Sequence, residues 1–107
     1  MRRYQVIFHP RAQRDLIELH DYIEEQSSSS QAGIFISAIR DYCLNFATFP
    51  ARGTVRSDLG EGVRVVGFRR RVSVVFSVEG DAVWILGIFY GGRSIALSSL
   101  DDEEPLS

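Results

Sequence analysis

The chain has no lysine: all twelve of its basic side chains are arginine, set against fourteen acids and two histidines for a formal charge of −2. It has one cysteine, Cys43, which excludes an internal disulfide and a cysteine-based zinc site within one chain. Cys43 falls on an apolar helical face and is expected to be buried filler in a reducing compartment. No apolar run approaches the roughly 18–20 residues needed to span a bilayer. The opening "MRRYQVIFHP" is too short in its apolar part for a signal peptide and is broken by His9 and Pro10, so a cytoplasmic chain is expected. There is no phosphate-binding loop, no nucleophile elbow and no glycine-rich dinucleotide fingerprint. His9 and His20 have no cysteine or carboxylate set at ligand spacing around them, so neither a metal nor a cofactor is expected. Glu24–Glu25 has the look of a solvated helical face, not of an acid/base dyad.

What is present is an ordinary globular composition, 45% hydrophobic and 24% charged over 107 residues, enough for one domain with one core. "YQVIF" (4–8) is a short β-type run. Pro10 then opens a helix, with Ala12, Leu16, Leu19 and Ile23 at helical spacing through "PRAQRDLIELHDYIEEQ". "SSSS" (27–30) breaks it and supplies a hydroxyl to cap a second helix, about residues 31–48. That helix carries Phe35, Ile39, Tyr42, Phe46 and Phe49 on one stripe, with Ala32, Ile36 and Cys43 beside it. The two helices form an antiparallel hairpin. "FPARGTVRSDLGEG" (49–62) has loop composition. Strands follow at about 63–68, 72–79 and 82–90, the last two joined by the turn "EGD" (79–81). "AVWILGIFY" is apolar on both parities, as expected of a strand buried on both faces or at the sheet centre. Gly91-Gly92 is expected to be a turn or bulge. The order β-α-α-β-β-β predicts an α+β fold, with the helical hairpin on a mainly antiparallel four-stranded sheet. The domain is expected to span 1–98, with 99–107 an acidic, flexible tail.

Charge is unevenly placed. Asp101, Asp102, Glu103 and Glu104 crowd the end; the fourteen acids less those four leave ten against twelve arginines. Six arginines lie between Arg52 and Arg71, Arg56 and Arg64 among them, opposed there only by Asp58 and Glu61. Arg64 sits on a predicted strand, Arg69, Arg70 and Arg71 at a strand junction, and Arg93 just after the last strand. Such a surface can bind phosphates, stabilise a developing anion or dock an acidic peptide. For Arg69–Arg71 the bland alternative is a charged turn that keeps a hairpin tip soluble. Tyr90, beside the glycines, is either core edge or a functional phenol.

The order of parts resembles the RelE/ParE superfamily of toxin–antitoxin toxins over about residues 3–95. The residues that carry it are "PRAQRDLIELHDYI", "FATFPARG" and "GVRVVGFRRRVSVVFSVEGDAVWILGIFYGGRS". Within the first, Ala12, Asp15-Leu16 and Tyr22-Ile23, with the Pro50–Gly53 element, Gly62–Arg64 and Val74–Phe76, are most similar to the ParE, or plasmid-stabilisation, branch.

The resemblance implies either of two activities on one fold. ParE-type members poison DNA gyrase without catalysis and are neutralised by a ParD-like antitoxin. RelE-type members are ribosome-dependent mRNA endonucleases that use lysine and arginine, often with a tyrosine or histidine near the C-terminus. Arg64 and Arg93 match basic positions of the nucleases, and Tyr90 is the candidate acid/base residue. The start of the third strand, where RelE has an arginine, is Ser73 here, and its terminal tyrosine falls near Ser99. That departure, with the absence of lysine, favours a gyrase inhibitor that need not bind nucleic acid directly. On that reading Arg56, Arg64, Arg69, Arg70, Arg71 and Arg93 form a basic rim for a protein partner. Tyr22 and Phe49, at the margins of their stripes, supply apolar contact.

Overall fold

The structure, a computed structural model, describes residues 3–91. The boundary at residue 98, Arg93 and the acidic tail 99–107 therefore lie outside the described residues. Strand β1 (Gln5–Phe8) leads into helix α1 (Pro10–Gln26) and helix α2 (Ser29–Leu44), which a 3₁₀ turn (Asn45–Ala47) extends. Then come β2 (Thr54–Val55), β3 (Val63–Phe68), β4 (Val72–Glu79) and β5 (Ala82–Tyr90). The order across the sheet is β1-β5-β4-β3-β2, with β1 parallel to β5 and every other pair antiparallel. No helix among the described residues is long and apolar enough to cross a membrane.

Each helix starts where its sequence supplies a cap. His9 precedes Pro10, and its Nδ1 accepts the Arg11 backbone N–H at 3.0 Å, covering one donor of the first turn. Ser28 Oγ accepts the Gln31 N–H at 3.1 Å, so α2 begins at Ser29, ahead of the 31 expected. The expected four-stranded sheet is corrected to five. Val55 pairs with Arg64 and Thr54 with Val65 inside the segment predicted as loop. Gly53 makes this possible: at φ 74° a Cβ there would lie 2.3 Å from the Val65 carbonyl oxygen. Two residues are too few for any alternation to be visible in sequence.

The core lies between the helices and one sheet face. Ala12, Leu16 and Leu19 of α1 and Ile36, Ile39 and Cys43 of α2 meet Val72, Val74, Phe76, Val83, Ile85 and Ile88. A smaller cluster of Val63, Val75 and Phe89, with Leu59 beside it, occupies the other face. The double parity of "AVWILGIFY" has a specific cause. Val75 pairs with Gly87 but Phe76 pairs with Ile85, leaving Leu86 as an extra residue in β5. That bulge moves the helix-facing set from Val83 and Ile85 to Ile88 and Tyr90. Gly87 serves the same bend, since a Cβ there would sit 2.8 Å from the Phe89 ring.

β1 pairs with β5 only as far as Ile85. Past that point the β5 edge is covered by α1, where Asp15 Oδ2 accepts the Ile88 N–H at 3.0 Å. A groove of about 250 Å³ remains along this edge, lined by Asp15, Glu18, Leu19, Tyr22, Ile88, Tyr90 and Gly91.

Candidate functional site

The Arg69–Arg71 triplet is the tip of the β3–β4 hairpin. Phe68 pairs with Val72 across Arg69–Arg71, and the Arg71 N–H donates to the Phe68 carbonyl at 3.3 Å, closing a turn with Arg69 and Arg70 at its centre. Arg69 and Arg70 stand at φ 53° and 61°, the only positive-φ residues other than glycine among the described residues. Positive φ at both central positions belongs to a type I′ turn, for which Asn-Gly is the usual pair. An L-residue with a long side chain carries roughly 1–2 kcal/mol of strain at each such position. Placing two arginines there costs stability and keeps two exposed cations at the tip.

A chain of aromatic rings runs from this tip across the helix-facing side. Tyr22 of α1 meets Tyr90 of β5 with centroids 5.7 Å apart, and Tyr90 meets Phe35 of α2 at 6.1 Å. Phe35 meets Phe68 at 6.3 Å, and Phe68 meets Tyr42 at 4.8 Å. Tyr42 then meets Phe46 at 5.4 Å, and Phe46 meets the buried Phe76 at 4.7 Å. The Tyr42 hydroxyl donates to the Gly67 carbonyl at 3.2 Å, which fixes α2 against β3.

Arginines lie over these rings. Arg69 sits 4.9 Å from the Phe68 centroid, and Arg52 sits 4.9 Å from Phe46 and 5.7 Å from Tyr42. Arg52 Nε also donates to the Phe49 carbonyl at 2.9 Å, and Arg64 Nη1 donates to the Arg52 carbonyl at 3.1 Å. Arg71 Nη1 donates to the Tyr90 hydroxyl at 3.3 Å. The result is one band, from Tyr22 and Tyr90 through the arginine tip to Arg52, Arg64 and Phe49. Tyr22 and Phe49 are 49% and 63% exposed, so neither belongs to the core. Among the described residues no carboxylate pairs with Arg52, Arg64, Arg69, Arg70 or Arg71.

One of the expected rim residues, Arg56, falls elsewhere. Arg56 donates to both oxygens of Asp58 at 2.8 and 2.7 Å, so its charge is already answered. The hydrogen bonds from Arg56 hold the Asp58 carboxyl below its usual range, and the same bond raises the guanidinium. Arg56 also follows Val55 by one position, which turns it away from the face that Arg64 shares. Arg93 lies outside the described residues. Arg64 and Tyr90 are not brought together. They are two strands and four residues apart, roughly 16 Å at the usual strand spacing and rise.

Arg52, Tyr42, Phe35 and Phe68 belong to the band but were not expected there. Phe35 and Tyr42 belong to a helical stripe whose spacing implies core, Phe68 carries no signal of its own, and Arg52 lies in a segment of loop composition. A usable signal was the "F-x-x-R" spacing of Phe49 and Arg52, which brings an arginine back over the end of α2. His20 differs from expectation as well: with Asp21 and Glu24 it places three possible ligand atoms within 4.8 Å on α1. Both carboxylates are exposed there, and they sit 3.8 and 3.9 Å from His20 Nδ1. Cys43 is fully buried, and burial pushes its thiol up to about 12, which removes it from nucleophilic chemistry.

Comparison with known proteins agrees with this architecture. The model of the family described as ParE toxin of type II toxin-antitoxin system, parDE, matches residues 6–95. Among solved structures, the chain is similar to one described as a chromosomal ParDE TA system from P. aeruginosa. The identity is 21% over 82% of this chain and 96% of that one, with a TM-score of 0.72. It is also similar to a chain of the toxin-antitoxin complex RelBE2 from Mycobacterium tuberculosis. There the identity is 20% over 87% of this chain and 97% of that one, with a TM-score of 0.62. No curated protein sequence matches.

Proposed function

We propose, from the premise that the chain belongs to the ParE toxin family of type II toxin–antitoxin systems, that it inhibits DNA gyrase without catalysis and is neutralised by a ParD-like antitoxin. The observation that carries the antitoxin half is the unanswered charge of the band. Arg52 and Arg69 lie over aromatic rings and Arg71 donates to the Tyr90 hydroxyl; these three, with Arg64 and Arg70, have no carboxylate partner among the described residues. A disordered antitoxin segment with acids and apolar anchors can fold onto such a surface, its carboxylates meeting guanidinium forks and its anchors meeting Tyr22, Phe49 and the exposed ring edges. The solved relatives are described as toxin–antitoxin assemblies, which supports a protein partner.

The separation of Arg64 from Tyr90 supports the non-catalytic half. General acid–base cleavage needs its groups within hydrogen-bond reach of one reacting centre, about 3 Å. Here the Arg64 guanidinium donates to a backbone carbonyl, and the Tyr90 hydroxyl accepts from Arg71.

The test is a gyrase supercoiling and cleavage assay with the folded, antitoxin-free chain. Inhibition or trapped cleavage that a ParD-like antitoxin reverses is the expected result. Unimpaired gyrase would overturn the target assignment. Arg64→Glu with Arg71→Glu is expected to weaken antitoxin binding by tenfold or more, on the order of 1.4 kcal/mol. Unchanged affinity would remove the band as the docking surface.

A further inference from the structure

The groove along β5 has the opposite charge character to the arginine band, although it shares Tyr90 with it. It opens because β1 stops pairing at Ile85 while β5 continues to Tyr90, so that α1 takes over the edge. Its walls are the Asp15 and Glu18 carboxylates from α1 and the Tyr22 and Tyr90 rings, around a cavity of about 250 Å³. Asp15 is fixed there by accepting the Ile88 N–H at 3.0 Å. Glu18 is exposed and makes no hydrogen bond or ion pair among the described residues. The Tyr22 and Tyr90 rings stand 5.7 Å apart and 58° from parallel, so they form a corner and not a closed stack. Arg71 reaches the Tyr90 hydroxyl at 3.3 Å from the tip but does not line the groove. Ring faces and carboxylates both favour positive charge, and Leu19 and Ile88 between them offer an aliphatic floor.

We propose that this groove receives an arginine side chain of the antitoxin segment that docks on the band. Its guanidinium meets the Glu18 carboxylate and the tyrosine rings, and its methylene stem lies on Leu19 and Ile88. The inference rests on the reading of the band as that segment's docking surface, and it adds a polarity. Acids belong over Arg69–Arg71 and a base belongs past Tyr90, and the contact of Arg71 with Tyr90 makes the two positions neighbours. An extended chain advances about 3.3 Å per residue, so only a few residues separate the acid from the arginine. A segment laid on in reverse sets its arginine against the arginine tip and its acids against Glu18, which like charge disfavours. The groove therefore fixes direction and register, where the tip alone supplies attraction.

The probe is the blocked tripeptide acetyl-Gly-Arg-Gly-amide, with the citrulline peptide of the same shape as its neutral match. Each is titrated into the full chain and followed by NMR. Shifts at the Ile88 and Gly91 amides and the Tyr22 and Tyr90 rings are expected, with the arginine peptide binding at least about fivefold tighter than the citrulline one. Glu18→Gln, an exposed change that leaves the core untouched, is expected to bring that ratio to about twofold or less. Equal affinity of the two peptides for the parent overturns the proposal, as does a ratio that survives in Glu18→Gln. So does the absence of any response, or a response centred on Asp21 and Glu24 further along α1. No antitoxin enters this titration, so its failure is distinct from failure of the docking reading, which the Arg64→Glu with Arg71→Glu measurement decides.

Discussion

Replacing Arg70 by glycine should make the protein more stable, although it removes a side chain and adds freedom to the unfolded chain. Arg70 is exposed and stands at φ 61°. Glycine relieves the left-handed penalty, about 1–2 kcal/mol, and gives back roughly 0.5–1 kcal/mol through the added freedom of the unfolded chain. The net expectation is a gain of about 1 kcal/mol, or about 4–8 °C in Tm for a domain of this size. Arg70→Ala is the control. It removes the same charge but leaves a side chain at positive φ, so its stability should stay within about 0.5 kcal/mol of the parent. Urea unfolding of the three proteins decides the matter: the midpoint should rise for Arg70→Gly alone, with an unchanged slope. If Arg70→Ala stabilises as much as Arg70→Gly, the cost at the tip is mutual repulsion of the arginines and not backbone strain. If neither variant is stabilised, the turn is unstrained, and the case that its arginines are kept for their charge fails.

Two further outcomes follow from the core. Gly53→Ala should cost about 2–4 kcal/mol by urea unfolding, since the new Cβ meets the Val65 carbonyl at 2.3 Å and the φ of 74° is disfavoured; a loss under about 0.5 kcal/mol would mean that β2 shifts freely. Cys43 should steepen the alkaline loss of stability. Its thiol is raised from 9.0 to about 12 in the folded chain, so between those values the unfolded state has released a proton that the folded state keeps. The Cys43 contribution is therefore intact below pH 9 and falls by about 1.4 kcal/mol per pH unit above it. Stability against pH for the parent and for Cys43→Ala should diverge from pH 9 upward, and parallel curves would refute the assignment.

The helices and the three long strands were legible because each carries its own period or boundary residue. Pro10 marks the start of α1, and Ala12, Leu16 and Leu19 reach the core from the positions their spacing implied. The turn at Gly80 and Asp81 stands where "EGD" placed it. What escaped depends on pairing between distant segments. β2 exists because Gly53 lets its chain approach β3, and no pattern within Thr54–Val55 announces that. The bulge at Leu86 is similar: two apolar parities in "AVWILGIFY" were visible, but only the register against β4 shows that the strand changes face midway.

The candidate site was legible by composition and not by geometry. A run of arginines flags a charged surface, yet says nothing of which ones are already answered. Arg56 is two residues from Asp58 and is neutralised by it, whereas Arg52 and Arg69 find rings from the 3₁₀ turn after α2 and from β3 at 4.9 Å. An arginine over an aromatic ring keeps its outward N–H groups available while its flat face is desolvated, so it can engage a carboxylate with less ordering cost than a free side chain. That distinction separates a solvated turn from a prepared surface. A turn selected only for solubility would put its charges on unstrained backbone, away from the core's rings. Here Arg69 and Arg70 hold left-handed backbone, and Phe68 beneath Arg69 continues through Tyr42 to the fully buried Phe46. The charges at the tip thus rest on the same packing that holds the domain together.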